Sequence, residues 1–338
     1  MKKSLALLWP VLGLFACSGD PGAEDGADGE TATGGTSPSG GTSTGGQGGL
    51  GGDAATGGQT NTGGTPLATT PGGIAGAPPS TWTEHWFEHV QEMALVDYDD
   101  WVAVYADADV NRDQIGWMMP FFHDLWQYTV THYGQFTDGT RDGRVYMLFH
   151  QGRYSGGHPS TYFDASHDYR NVSDVGPGPH AIGSYGIPVH EVAHIVELAS
   201  RGYHGSPAFG IWGDSKWAEF YTYDIYVGLG MEAEAQQAYD DYIVKSDDFP
   251  EGHTTFWFRD WFYPLWRDYG HVEVMANYFR LVAEHWDGGG MNVGEYVHFT
   301  SGAAGTDLKA LATTAFGWSE AREAEYAQAK LDYPELTY

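Results

Sequence analysis

Large apolar side chains are spread very unevenly along the 338 residues. A short apolar run from Leu5 to Ala16 opens the chain behind Lys2 and Lys3. Residues 18–80 then carry mainly Gly, Thr, Ser, Ala and Pro, with almost no large apolar side chains. Bulky residues return in clusters from Trp82 onward. Residues 82–96 and 114–133 are dense in Trp, Phe, Leu and Met and predict helices. Trp101 to Tyr105 predicts a strand. Arg144 to His150 predicts another, with Val145, Met147 and Phe149 alternating with Tyr146, Leu148 and His150. A short extended piece is expected around Tyr162-Phe163, within Gly- and Ser-rich loops that run to residue 186. From Pro188 a mostly apolar helix is expected, carrying Val189, Val192, Ala193, Ile195 and Val196 and closing at Gly202 after Arg201. A further helix is expected behind an Asp214 N-cap and closing at Gly228 and Gly230. Residues 231–246, 255–283 and 305–330 read as mainly helical. Few strands followed by many helices predict an α+β fold. Residues 81–202 would hold the sheet and the Pro188 helix, and residues 203–338 a helical lobe.

The two ends of the chain have different physics. Residues 1–17 read as an export signal, because the apolar run is too short to span a bilayer comfortably. Its end, Leu14-Phe15-Ala16-Cys17, resembles a bacterial lipoprotein cleavage box. That resemblance implies that Cys17, the only cysteine in the chain, becomes the lipidated first residue, and Ser18 points to the outer membrane or cell surface. The alternative is an ordinary secretory signal with an incidental cysteine. Residues 18–80 cannot bury enough surface to offset their ordering entropy and are expected to form a flexible tether. The remaining residues, 81–338, suffice for one large domain or two lobes. They have no cysteine to bridge, so packing, and a metal if one binds, must hold them. Six of the 45 acidic residues lie in the tether and two of the 16 basic ones in the leader, which leaves the domain with a formal charge of −25. Such a charge disfavours nucleic acid and anionic membrane surfaces as partners, and membrane attachment is expected through the lipid alone. It suits a soluble monomer and cationic or neutral substrates.

The pattern with most chemical content is His190-Glu191-Val192-Ala193-His194. Two imidazoles four residues apart share one helical face and can reach a single Zn²⁺. A carboxylate between them is placed to take a proton from water at the metal. The bland reading is a core helix whose histidines bond to backbone or water. The surrounding helix signals favour zinc.

Catalytic zinc takes a third protein ligand. A histidine six residues after His194, as metzincins require, is absent, because Ser200 stands there. His204 is a loop candidate. Glu197 lies too far along the same helix from His190 and is expected to pair with Arg201 one turn on. Glu219 is the favoured candidate, a carboxylate among Trp217, Phe220, Tyr221 and Tyr223 on the next helix that needs a cationic partner. Its alternative partner is Lys216. Asp214 is the reserve, although capping would account for it.

At this point the chain resembles the gluzincin branch of the zincin metallopeptidases, over residues 188–224. The resemblance implies zinc on His190, His194 and Glu219, with Glu191 as general base. It also implies a small sheet above the motif helix, with an edge strand that aligns extended substrate. The chain departs from the thermolysin pattern, since Asp224 stands five residues after Glu219 where four is the rule. The stretch Phe299 to Leu308 and Phe316-Gly317-Trp318 are similar to segments of secreted enhancin-like and mucin-targeting gluzincins. By that analogy Tyr296 and His298 are candidate oxyanion donors. The expected function is hydrolysis of a protein, peptide or glycoprotein substrate by a surface-tethered zinc peptidase. The competing expectations are a non-catalytic glycan- or peptide-binding lipoprotein and a zinc hydrolase of a non-peptide bond.

Two other groupings are weaker. Asp107, Asp109, Asn111 and Asp113 alternate like the start of a calcium loop, but Arg112 and Met118 replace the required Gly and Glu, so a helix-capping turn is expected. His150, His158 and His167 could line a cleft or join a second metal. Loop histidines are more often exposed or hydrogen-bonded, and that is the expectation here.

Overall fold

The computed structural model describes residues 65–338 apart from 75, 88, 116–117, 152–155, 177–184 and 251–253. The export signal, Cys17 and the tether up to residue 64 lie outside the described residues. The fold is mixed α and β. Among the described residues the strands β1 (Thr81–Thr83), β2 (Glu92–Tyr98), β3 (Val102–Ala106), β4 (Val145–Phe149), β5 (Gly157–Ser160) and β6 (Asn171–Val175) form one six-stranded sheet in the order β1-β2-β3-β4-β6-β5. β3, β4 and β6 run parallel, and the outer strands β1, β2 and β5 pair antiparallel. The central strands read Val-Ala-Val-Tyr-Ala and Val-Tyr-Met-Leu-Phe and are buried throughout, as parallel strands covered on both faces must be.

The strand period of two sorts these side chains onto two cores. Val102, Val104, Ala106, Val145, Met147, Phe149 and Val175 face the helices and belong to the main core. Ala103, Tyr105, Tyr146, Leu148 and Val172 face the other way and pack with Trp82, Trp86 and Met93. This second core explains why the predicted helix over residues 82–96 does not form. Trp82 and Trp86 are spaced like one helical face, but they cover the outer side of the sheet, and β1 and β2 stand in the helix's place.

On the main face lie α1 (Met118–Tyr133) and α2 (Gly186–Ala199), the helix of the His-Glu-x-x-His pattern. α2 is buried nearly all round and carries Pro188 in its first turn. A short 3₁₀ turn follows, in which Arg201 (φ 55°) and Gly202 (φ 82°) take left-handed backbone and end the helix. α3 (Phe209–Trp212) and α4 (Lys216–Gly228) come next, and the Trp217 indole donates to Ala193 O at 3.1 Å, tying α4 to α2. α5 (Glu232–Tyr242), a wide helical turn (Trp257–Phe262), α6 (Tyr263–Asp268), α7 (Val272–His285), α8 (Val293–Ala304), α9 (Lys309–Phe316) and α10 (Glu320–Asp332) complete the chain. All strands precede α2 and, among the described residues, only helices follow it. Residues 65–338 belong to one compact unit, and its main core runs across residue 202 between the sheet half and the helical half. Part of the expected tether packs on the domain. Ala68 donates to Thr131 Oγ1 at 2.9 Å, and Pro79 O accepts from Tyr105 at 2.7 Å, so residues 65–80 lie along the domain. No helix of the described residues is long and apolar enough to cross a membrane.

Asp224 is the polar hub of the helical layer. Its carboxylate takes Trp266 Nε1 at 2.7 Å, Tyr133 Oη at 2.9 Å and Tyr128 Oη at 3.2 Å, joining α4 to α6 and α1. Burial pushes its pKa up to about 6, although those three donors favour the anion. The native state thus holds this proton more tightly than the unfolded chain. The associated stability is present below the unfolded value near 4 and is lost as pH rises through about 6. Asp224→Asn keeps an acceptor but cannot ionise. Its stability relative to wild type should rise by about 1–3 kcal/mol between pH 4 and pH 7, read from urea unfolding at both values. A relative fall over that interval would show that the folded state favours the charged form.

Candidate metal centre

The i, i+4 spacing on α2 stacks His190 and His194 on one face. Their rings stand at 76° to each other, and the two Nε2 atoms converge to 3.1 Å. Two donors each about 2.0–2.1 Å from one Zn²⁺ at a tetrahedral angle would be a little over 3 Å apart, so the pair is close to the separation a shared cation requires. Glu197, one turn on, places Oε2 at 2.8 Å from His194 Nδ1, and Ser206 Oγ donates to its other oxygen at 3.3 Å. A carboxylate behind a ligand histidine fixes the ring and its tautomer. The expected Glu197–Arg201 pair is not made: Arg201 bonds to His132 O. The left-handed turn after Ala199 carries Arg201 off the face that Glu197 occupies.

Burial, the neighbouring His194 and the Lys216 ammonium all push the His190 pKa down. Burial opposes charge on His194 too, but the hydrogen bond and charge of Glu197, with Glu191 and Asp214 behind it, outweigh that and raise its pKa. Burial also raises Glu197. The proton nonetheless belongs on His194, whose ordinary value lies well above a carboxylate's. His194 Nε2 must give up that proton before it and His190 Nε2 can act together as ligands.

A carboxylate stands beside the pair. Asp214 Oδ1 is 3.6 Å from His194 Nε2, and it has no hydrogen-bond partner. The cap of α4 is Ser215, without a side-chain bond, so capping does not occupy Asp214 as expected. Glu219, the favoured third ligand, sits one turn inside α4 with its oxygens 3.5 Å from Lys216 Nζ and 3.4 Å from Lys245 Nζ. Lys216 is itself buried and held by Asp247 at 2.8 Å. His204 stacks on Phe163.

Glu191 is fully buried, and the β5 backbone at Gly157 closes over it: a methyl group at Gly157 would collide with the Glu191 carboxylate. β5 is the last strand of the sheet, paired with β6 on one side only. Among the described residues, the outermost strand of the sheet therefore runs beside the candidate base. The sequence signal for β5 was poor, because Gly-His-Pro-Ser lacks β-branched residues.

Neither expected oxyanion donor fits. Tyr296 is buried among Trp212, Trp261 and Tyr278 and accepts from the Trp261 indole at 3.1 Å. Both nitrogens of His298 engage the C-terminal segment, Nδ1 with Tyr338 Oη at 2.9 Å and Nε2 with Tyr333 O at 3.0 Å. The helical packing of α8 turns both side chains into the core. Asp224, as described above, serves the helical layer and touches neither motif histidine.

Outside α2, Glu84, His89, His150 and Asp174 form a buried cluster that could hold a metal ion. The expectation that His150, His158 and His167 are ordinary loop residues is half right. All three are buried; His158 and His167 pack on Trp86, whereas His150 joins the cluster. In the calcium-like stretch Asn111 caps a short 3₁₀ turn, as expected, and Asp107 faces His150 instead of a loop centre.

No family model matches the chain, and no curated protein does. A solved structure described as a functionally unknown conserved protein mutant from Bacillus anthracis str. Ames aligns with a TM-score of 0.42 at 12% identity, covering 68% of this chain and 50% of that one. The chain thus spans half the length of that protein.

The Glu197 contact yields a measurable expectation. Glu197→Gln keeps the shape but removes the negative charge behind His194. Zinc affinity at the pair should fall about 10–100-fold, measured by competition with a chromogenic chelator. An unchanged affinity would show that Glu197 has no part in setting the ligand.

Proposed function

We propose that the protein is a zinc-dependent peptidase of the zincin type, with His190 and His194 as ligands, Asp214 as the third, and Glu191 as general base. The observation that carries this reading is the convergence of the two Nε2 atoms to 3.1 Å, with Glu197 behind one ring and the Asp214 carboxylate beside the same Nε2. Bound there, zinc would supply Lewis-acid polarisation of a carbonyl and an acidified water. Glu191, buried and next to the strand edge, takes the proton of the attacking water and returns it to the leaving amine. β5, the outermost strand of the sheet among the described residues, lies where it would align an extended chain, which favours a peptide over other substrates. Gly157 leaves room for Glu191 where that chain would lie. We assign export and lipid attachment at Cys17 on the leader sequence alone.

Asp214 is preferred over Glu219 because its oxygen lies beside a ligand nitrogen, while Glu219 faces two ammonium groups. Asp214→Asn should therefore cost zinc occupancy much as His194→Ala does, and Glu219→Gln should cost little. The reverse ranking, by metal analysis of the purified variants, would assign the third position to Glu219.

Glu191→Gln should retain zinc and lose at least ~10²–10⁴-fold in peptide turnover. Gly157→Ala, which displaces the same carboxylate without touching a ligand, should also keep zinc and lose turnover. A Glu191→Gln variant as active as wild type would remove the proposed base. Zinc binding with no cleavage of any peptide or glycopeptide by the wild type would favour a binding lipoprotein.

A further inference from the structure

We infer that Glu84, His89, His150 and Asp174 form a second metal site, structural in role and of the zinc class, on the face of the sheet away from α2. The four donor atoms lie within 4.8 Å of one another, and the side chains are 9% exposed at most. Ligands about 2.0–2.2 Å from one ion fall within such a span.

The contacts are poorly explained as ion pairs alone. His150 Nε2 faces Asp174 Oδ1 at 2.7 Å and Glu84 Oε2 at 2.9 Å. A ring nitrogen has at most one hydrogen, so it cannot serve both oxygens. His89 Nε2 faces the same two carboxylates, at 2.8 Å from Asp174 Oδ2 and 3.5 Å from Glu84 Oε2. Neither oxygen of Glu84 nor Asp174 Oδ1 receives a properly directed hydrogen bond, and both residues are fully buried. Two imidazole nitrogens and two carboxylates aimed at a common centre make a donor set suited to a cation. The other nitrogen of His150 meets both Gln91 Nε2 and, at 3.1 Å, Asp107 Oδ2, and Gln91 Nε2 also holds the second oxygen of Asp107 at 2.5 Å. This is the outer arrangement that orients a ligand histidine.

Four protein ligands close the coordination shell, which marks a structural site and leaves no position for substrate. Mixed imidazole and carboxylate ligation suits Zn²⁺ among divalent metals. The placement gives such an ion a task. Asp107 and His150 follow the ends of β3 and β4, Asp174 is next to last in β6, and Glu84 and His89 come from the crossing between β1 and β2. An ion at their centre would clamp that crossing, with Trp86, onto the carboxyl ends of the parallel strands. Chain parity keeps it apart from the α2 site. Asp174 and Val172 share one face of β6, and Val172 lies in the outer core. Ser173 points the other way, and its hydroxyl donates to Pro188 O on α2 at 3.2 Å.

The test uses the full chain loaded with ZnCl₂ and freed of excess by gel filtration. A His190→Ala/His194→Ala variant should keep about one zinc per chain, against about two in the wild type, and chelation should lower its melting temperature. With Co²⁺ in place of zinc it should show the visible absorption of a low-symmetry four-coordinate ion. A variant that retains no metal overturns the site, and a melting temperature unmoved by chelation overturns its structural role. Glu84→Gln/His89→Asn in the wild-type background should lose one zinc and keep the α2 zinc. Undiminished zinc in that variant would also overturn the site. Should it fail to fold, the His190/His194 variant decides alone. Failure of this site leaves the peptidase reading untouched, because that reading depends on the zinc these two histidines hold.

Discussion

The 2.8 Å contact between Glu197 and His194 Nδ1 is the polar bond on which the arrangement of the candidate metal centre depends. An imidazole is free to turn about its second side-chain torsion, and a carboxylate on one nitrogen removes that freedom. The other nitrogen is then aimed at His190. Glu197 also accepts from Ser206, which ties down the loop leaving α2 before the chain turns through α3. That path returns Asp214 to the motif histidines and sets α4 against α2, where Trp217 completes the seam. Around this group lie Trp212, Trp217, Tyr278 and Tyr296, and Glu197 and His194 are both buried. In so buried a place a hydrogen bond is stronger, and its loss leaves a polar group uncompensated.

Much of this could be read from the sequence. The helix of His190 and His194, the strands around Val102–Ala106 and Val145–Phe149 and the helical C-terminal half follow from local pattern, because each buries a face that its own periodicity defines. Other features depended on partners distant in the chain. Trp82 and Trp86 have helical spacing, yet the outer face of the sheet claims both. Asp214 has the right identity for an N-cap, and nothing local says that the fold brings it beside His194. Glu197 and Arg201 are spaced for an ion pair, but a left-handed residue ends the helix first. For His150 a second metal was only one option beside exposure or an ordinary hydrogen bond, since Glu84 and Asp174 lie 66 residues before it and 24 after it in sequence. Its position at the end of a strongly apolar strand was the available clue, because the ends of parallel strands are where buried polar side chains can gather without interrupting a core.

The charge of the domain belongs in the same account. Its acidic excess lies mostly on the surface, whereas buried Asp224 and Glu197 have neighbours of their own: Asp224 two tyrosines and a tryptophan, Glu197 an imidazole. Solubility and internal order therefore draw on the same residue types under different constraints. On the surface only the sum matters; inside, each oxygen needs its own neighbour.

β6 carries a consequence of its own. It reads Asn-Val-Ser-Asp-Val, a polar sequence for a strand buried along its whole length. Asn171 bonds the carbonyls of Phe136 and Arg144, Ser173 holds the start of α2, and Asp174 points to the histidines on the far side. Each polar side chain thus has an address on one side of the sheet. Hydrophobic strands can tolerate sliding past a neighbour, because one apolar contact resembles the next. This one cannot: a shift of a single residue would send Asp174 into the hydrocarbon beneath α2 and Val175 among the carboxylates. The least apolar of the three parallel strands is therefore the one whose alignment is most sharply determined, and it works as an indexing pin for the two layers it separates.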